Sequence, residues 1–300
     1  MKYKSIFKLC LLTTFLSVAT ISCDDWTEME IHNSQVNGFK EQNPQEYAAY
    51  TQNLRAYKAT KHAVVYARLD NAPEVSTGEK DFLRALPDSI DIVTMRNADR
   101  LSEYDREDMK LVREDYGTKV LYYIDCTAKD KLNTSITSAV EAVRAGTFDG
   151  IALGSEGSAV DVSALKPLLD ALGQTPCLLV FEGTPSLLPE AQRSLFNYFV
   201  LDISAASDEY DIETSVLYAT GYGKAAPDRL LLAVTPDGTL TDYNGVTRNA
   251  IAGAAYGALN METPLGGIAI YNISADYYDT DIIYKQTRGG IQFLNPASAH

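Results

Sequence analysis

Apolar and polar positions alternate in blocks along this chain. Eight short, near-continuous apolar runs stand out: HAVVYARL (62–69), IDIVTM (90–95), KVLYYIDC (119–126), FDGIALG (148–154), PCLLVFE (176–182), YFVLDIS (198–204), RLLLAVT (229–235) and GGIAIYNIS (266–274). Runs this long, rich in β-branched and aromatic residues, predict parallel strands buried on both faces. Between them lie segments with helical spacing of apolar residues. These are 101–117 ending at Gly117, 134–144 with Ile136, Val140 and Val143, 160–173 ending at Gly173, then 188–198, 212–223, 247–260 and 279–294. Glycine just past the last periodic residue stops a helix, because it takes the left-handed turn without a Cβ clash. Eight strand–helix units over about 240 residues predict an α/β chain, a single-domain (β/α)8 TIM barrel over 61–300. An open doubly wound sheet would put a Gly-rich phosphate loop after the first strand, and none follows here.

The start of the chain reads differently. In residues 1–22, Lys2, Lys4 and Lys8 precede an apolar run from Leu9 to Ile21 that is too short to span a bilayer. Ser22 then precedes Cys23. This pattern predicts a cleaved secretory signal. Residues 23–42 are polar and unpatterned, which predicts a tether. Asn43-Pro44 opens a helix over 43–60, with Tyr47, Tyr50, Leu54 and Tyr57 on one expected packing face.

Charge narrows the partners. The formal net charge is -14, and removing residues 1–22 takes three lysines and no acids, leaving -17. No nucleic acid is expected as a partner, since phosphate binding needs a basic stripe. The three histidines, His32, His62 and His300, leave little room for a His-based triad or metal site. There is no HExxH, CxxC or DxDxDG pattern, so neither metal nor cofactor is expected. Asp276, Asp279 and Asp281 read as a solvated acidic loop. Cys126 and Cys177 lie inside apolar runs and read as core residues, although two cysteines could also form one disulfide.

In a barrel of this kind the functional face lies at the C-terminal strand ends. Those ends supply Arg68 and Asp70, Asn97, Tyr123 and Asp125, Glu156, Glu182, Asp202, Thr235 and Asp237, then Tyr271, Asn272 and Asp276. Carboxylates accept hydroxyl hydrogen bonds and aromatic rings stack on C–H faces, so this rim suits a sugar.

The run FDGIALGSEG, residues 148–157, resembles the fourth-strand motif DGxDxDxE of family 18 glycoside hydrolases, the chitinases and endo-β-N-acetylglucosaminidases. Asp149-Gly150 matches, and Glu156 falls where the catalytic acid stands. The two intervening acids are replaced by Ala152 and Gly154. The resemblance implies substrate-assisted hydrolysis in the family, with the Asp at position 154 polarising the acetamido group and the Glu protonating the leaving oxygen. Losing such positioned help typically costs about 10²–10⁴-fold per group. Tyr271 stands near the position of a Trp under the sugar in many members, and implies a retained stacking surface.

Two readings follow from the resemblance. The first is a binder: Asp149, Glu156, Tyr123, Asp125, Asn97, Asp202, Tyr271 and Asn272 would hold an N-acetylglucosamine-containing glycan, an N-glycan or chitooligosaccharide, without cutting it. The second is an active endo-β-N-acetylglucosaminidase with Glu156 as acid and Asp125 or Asp202 in place of the lost Asp. The start of the chain resembles that of a bacterial lipoprotein, which implies lipidation at Cys23, and Asp24-Asp25 resembles the surface-export signal of Bacteroidetes lipoproteins. Together these imply an outer-membrane, cell-surface protein of a polysaccharide-utilisation system, beside glycan-uptake proteins.

Overall fold

The computed structural model describes residues 39–71, 75–155, 157–160, 162–172 and 175–296. The signal segment, Cys23 and most of the tether lie outside them. The chain divides into two compact units, Met1–Tyr50 and Thr51–His300. In the first, the described residues form helix α1, Phe39–Gln42, and the start of α2, Pro44–Lys58.

The second unit is the barrel. Eight parallel strands close in the order β1 (Val64–Leu69), β2 (Ile92–Met95), β3 (Lys119–Asp125), β4 (Gly150–Gly154), β5 (Leu178–Glu182), β6 (Tyr198–Asp202), β7 (Leu230–Val234) and β10 (Gly267–Ile270), which pairs back with β1. All eight expected strands form, each shorter than its apolar run, β3 least and β10 most. A hairpin, β8 (Thr239–Thr241) with β9 (Thr247–Asn249), is inserted after β7. The helical segment expected from 247 therefore begins with this strand, and the helix runs Ala250–Asn260.

Strand alternation splits the core in two. Val65, Ala67 and Leu69 of β1 face the helices, with Val93, Val120, Ile151 and their counterparts. Tyr66, Leu121, Tyr123, Ala152, Val180, Val200, Leu231, Ala269 and Tyr271 fill the interior. Each fully buried Val, Leu, Ile or Phe contributes about 1.5–3 kcal/mol.

The outer helices are α3 (Glu103–Glu114), α4 (Lys129–Arg144), α5 (Val162–Leu172), α6 (Glu190–Arg193), α7 (Glu209–Gly221), α8 (Ala250–Asn260) and α9 (Lys285–Leu294). Local chemistry sets their starts. Ser102 and Asp105 form a reciprocal capping box on α3, and the Asp208 side chain accepts from Tyr210 N and Asp211 N on α7. Helix α6 has only four residues, although the pattern extended over 188–198. Helix α9 starts later than expected, because Asp276 accepts from Gln286 N and Thr287 N and caps it there. Asp279 and Asp281 of the acidic loop both pair with Lys285.

Helix α2 does not bury its tyrosines as expected: Tyr57 is 37% exposed, whereas Thr51 and Leu54 are buried. Its end is held by Lys58, whose Nζ donates to Asp88 O, Ile90 O and Thr118 Oγ1. Cys126 and Cys177 are free thiols packed against the core.

The floor of the barrel has a repeated clamp. Asp91, Asp149 and Asn197 each precede an even-numbered strand. Each accepts from a backbone N–H of the strand before it: Asp91 from Val65, Asp149 from Val120 and Asn197 from Leu179. Among the described residues no helix is long and apolar enough to cross a membrane.

Candidate functional site

Strand parity decides which side chains reach the barrel mouth. On β1 the inward positions are Val64, Tyr66 and Arg68; on β5 they are Leu178, Val180 and Glu182. The last inward residues meet at the C-terminal end around a cavity of about 400 Å³, lined by Arg68, Tyr123, Gly154, Glu182, Asp202 and Tyr271 among others.

Glu182 organises this mouth. It is 5% exposed, and both carboxylate oxygens are used. Tyr66 donates to Oε1 at 2.5 Å, and Arg68 Nη1 donates to Oε2 at 3.1 Å. The Tyr66 hydroxyl also bonds Thr94 Oγ1. Burial pushes the Glu182 carboxyl above its usual range, against the opposing pull of Arg68 and Tyr66. A buried carboxylate needs such partners, since an unpaired one costs several kcal/mol.

The arginines lie on aromatic rings. The Arg68 guanidinium sits 3.7 Å from the Tyr271 ring centroid, and Arg96 lies 4.7 Å from that of Tyr123. Arg96 also approaches Asp70 at 3.7 Å. Burial pushes the phenols of Tyr66, Tyr123 and Tyr271 upward, with the Glu182 charge adding to each shift. All three therefore stay protonated.

Tyr123 also explains Gly154. A Cβ built on Gly154 would collide with the Tyr123 phenol, 2.6 Å from Cζ. The ring fills the volume that a side chain at 154 would need. Ala152, one inward step below, is fully buried in the barrel interior.

The expected site residues divide. Tyr123, Asp202 and Tyr271 line the cavity. Tyr271, expected as a stacking platform, is 6% exposed and has the Arg68 guanidinium against its ring.

Asp125, Asn97 and Asn272 stand at strand ends but outside the cavity wall. Asp125 Oδ1 accepts from Thr127 N and Oγ1 at 2.8 and 2.6 Å, forming a local turn. Asn97 exchanges hydrogen bonds with Asn71: it donates through Nδ2 to the Asn71 carbonyl and through its backbone N–H to Asn71 Oδ1, and its own carbonyl accepts from Asn71 Nδ2. Asn272 adopts a left-handed backbone, φ 49°, at the start of a 3-10 turn.

Asp149 is a correction: it sits at the opposite, N-terminal end of β4. There its carboxylate accepts from Val120 N at 2.9 Å and pairs with Arg113 at 2.9 Å. Its place just before the strand, which the motif match did not weigh, makes it a floor clamp. Glu156 lies outside the described residues. Tyr66 was missed because it reads as one more apolar residue in HAVVYARL; its parity with Arg68 was the available signal. Glu182 and Arg68 stand among the rim residues that the strand ends supply, and only barrel closure joins them.

The N-terminal part of the chain, residues 27–144, matches the family model "Glycoside hydrolase family 18, BT1044-like". No curated protein sequence matches the chain. Among solved structures, a selenomethionine variant of BT1044 is 18% identical, with 86% of this chain and 95% of that one covered and a TM-score of 0.70. An endo-β-N-acetylglucosaminidase from Cordyceps militaris is 16% identical over 83% of this chain and 96% of that one, with a TM-score of 0.60. A chitinase from Bacteroides thetaiotaomicron is 14% identical over 80% and 98%, with a TM-score of 0.52. With the closed eight-strand sheet, these structural matches show a (β/α)8 barrel fold, and the likeness to family 18 glycoside hydrolases in sequence lies within residues 27–144.

Proposed function

We propose that this barrel binds N-acetylglucosamine-containing glycans at its mouth without hydrolysing them. One observation carries the reading: the Tyr123 ring occupies the volume beside Gly154, where the motif of the family has an acid. The neighbouring carboxylate cannot take over that role as it stands, because both Glu182 oxygens are engaged by Tyr66 and Arg68. A pocket of about 400 Å³ with converging polar groups suits a small part of a glycan. Calorimetry or retardation gels against N-glycans and chitooligosaccharides test this, with binding and no cleavage expected. No affinity for any N-acetylglucosamine-containing glycan overturns it.

The setting belongs to the same reading. Cys23 would carry the lipid that anchors the chain in the outer membrane, with the barrel at the cell surface beside glycan-uptake proteins. Metabolic labelling with a fatty-acid analogue, lost in Cys23→Ser, tests the anchor.

A second reading is favoured by Asp202, which lines the cavity at the end of β6. In it the chain is an endo-β-N-acetylglucosaminidase with Glu156 as acid and Asp202 as the supporting carboxylate. A glycoprotein digest read by mass spectrometry decides between the two. Glycan release that disappears in Glu156→Gln establishes the enzyme.

A further inference from the structure

Among the described residues, two buried polar groups of the mouth have no hydrogen-bond partner: the Tyr123 hydroxyl and Arg68 Nε. Tyr123 is 7% exposed, so its hydroxyl has little access to solvent. Leaving a buried donor unmet is costly, and a ligand atom that accepts from it recovers that cost. Among the described residues nothing else in the wall meets these two donors. The Arg68 fork is held by Glu182 on one edge and by the Tyr271 ring on its face.

We infer that the Tyr123 hydroxyl and Arg68 Nε–H form a two-donor subsite for an acceptor oxygen of a neutral sugar, and that the pocket selects neutral over acidic glycan termini. The inference rests on the glycan-binding reading above and specifies it. Tyr123 acts as donor because its burial and the Glu182 charge keep the phenol protonated. A sugar hydroxyl or amide oxygen can accept from it. The same ligand can donate another hydroxyl to Asp202, which is exposed at the cavity edge.

The charge of the wall sets the selectivity. Its charged side chains among the described residues are Arg68, Glu182 and Asp202. Arg68 is paired with Glu182, and Arg96, behind the wall against the Tyr123 ring, faces Asp70 at 3.7 Å, so neither arginine offers an unpaired charge. A uronic or sialic acid would bring its carboxylate to a wall with no free cation and one exposed carboxylate, and like charges repel there. A neutral hydroxylated ring meets only donors and acceptors.

The test is calorimetry of the intact barrel with chitotetraose and with a biantennary N-glycan before and after removal of its terminal sialic acids. Tyr123→Phe removes one oxygen and keeps the ring over Gly154. It is expected to weaken binding of the neutral glycans about three- to tenfold, one hydrogen bond's worth, with the thermal midpoint not lowered. Arg68→Lys keeps the charge without the planar fork, and is expected to weaken binding at least as much. Equal binding by wild type and Tyr123→Phe overturns the subsite while leaving the glycan-binding reading standing. Tighter binding of the sialylated form overturns the selectivity. Absence of binding to every glycan overturns the glycan-binding reading and the subsite together.

Discussion

Tyr66 of β1 donates to Glu182 of β5 at 2.5 Å, a bond between residues 116 positions apart in the chain. It crosses the barrel interior and fixes the carboxylate that in turn holds Arg68 over Tyr271. The mouth is thus one connected network rather than a ring of independent side chains. Such networks are worth most when every member is satisfied.

Removing one member should therefore be costly. Tyr66→Phe leaves Glu182 Oε1 and the Thr94 hydroxyl without their shared partner. It is expected to lower stability by about 1–3 kcal/mol in denaturant unfolding. A change below a few tenths of a kcal/mol would show that the network does not support the fold.

Gly154 and Tyr123 should be energetically coupled. Gly154→Ala pushes a methyl group into the Tyr123 ring and is expected to destabilise by about 1–3 kcal/mol, as overpacking does. In a Tyr123→Ala background the added methyl finds room, so most of that cost should vanish. A double-mutant cycle with coupling of about 0.5–3 kcal/mol is expected. Additive effects would mean the ring does not fill that volume.

The barrel floor should carry a pH dependence. His62 hydrogen-bonds Asp91 at 2.9 Å and the Thr60 carbonyl at 2.8 Å, so both ring nitrogens face acceptors. Asp91 raises the imidazole above its usual value, against burial and the nearby Lys58 charge. A raised folded-state value means the folded protein holds the proton more tightly than the unfolded chain. Its stabilisation is full below about pH 6.5, the ordinary histidine value, and is lost as pH rises through the folded-state value. His62→Gln should flatten this segment of the stability–pH curve. Asp91→Asn should lower the histidine titration seen by NMR, and an unchanged titration would rule out the pairing.

The two barrel cysteines should be poor nucleophiles. Burial is the main cause that pushes the Cys126 thiol up to about 12, and it raises Cys177 as well. Since the thiolate is the reactive form, alkylation of the folded protein at pH 8 should be far slower than in denaturant. Mass spectrometry after timed iodoacetamide exposure measures this, and rapid labelling of Cys126 would contradict its burial.

How far the amino-acid pattern reaches is clear from particular residues. Local periodicity carries the eight strands and their inward parity. It placed Tyr123, Asp202 and Tyr271 at the C-terminal ends, where all three line the cavity. It misled where a motif match outweighed position, since Asp149 precedes its strand and clamps the floor through Val120 N. Of the packing face expected for the helix over 43–60, Leu54 is buried as read, whereas Tyr50 and Tyr57 are exposed and Thr51 takes the other buried position.

The positions of the eight barrel strands along the chain and the acids missing at 152 and 154 were thus determined by the sequence alone, because each depends on residues a few positions apart. The meeting of Tyr66, Arg68 and Glu182, the covering of the Tyr271 ring, and the filling of the space beside Gly154 were decided only by tertiary structure. Barrel closure brings β1 against β10 and faces it across the interior to β5. No spacing along the chain encodes which inward side chains then compete for the same few ångströms.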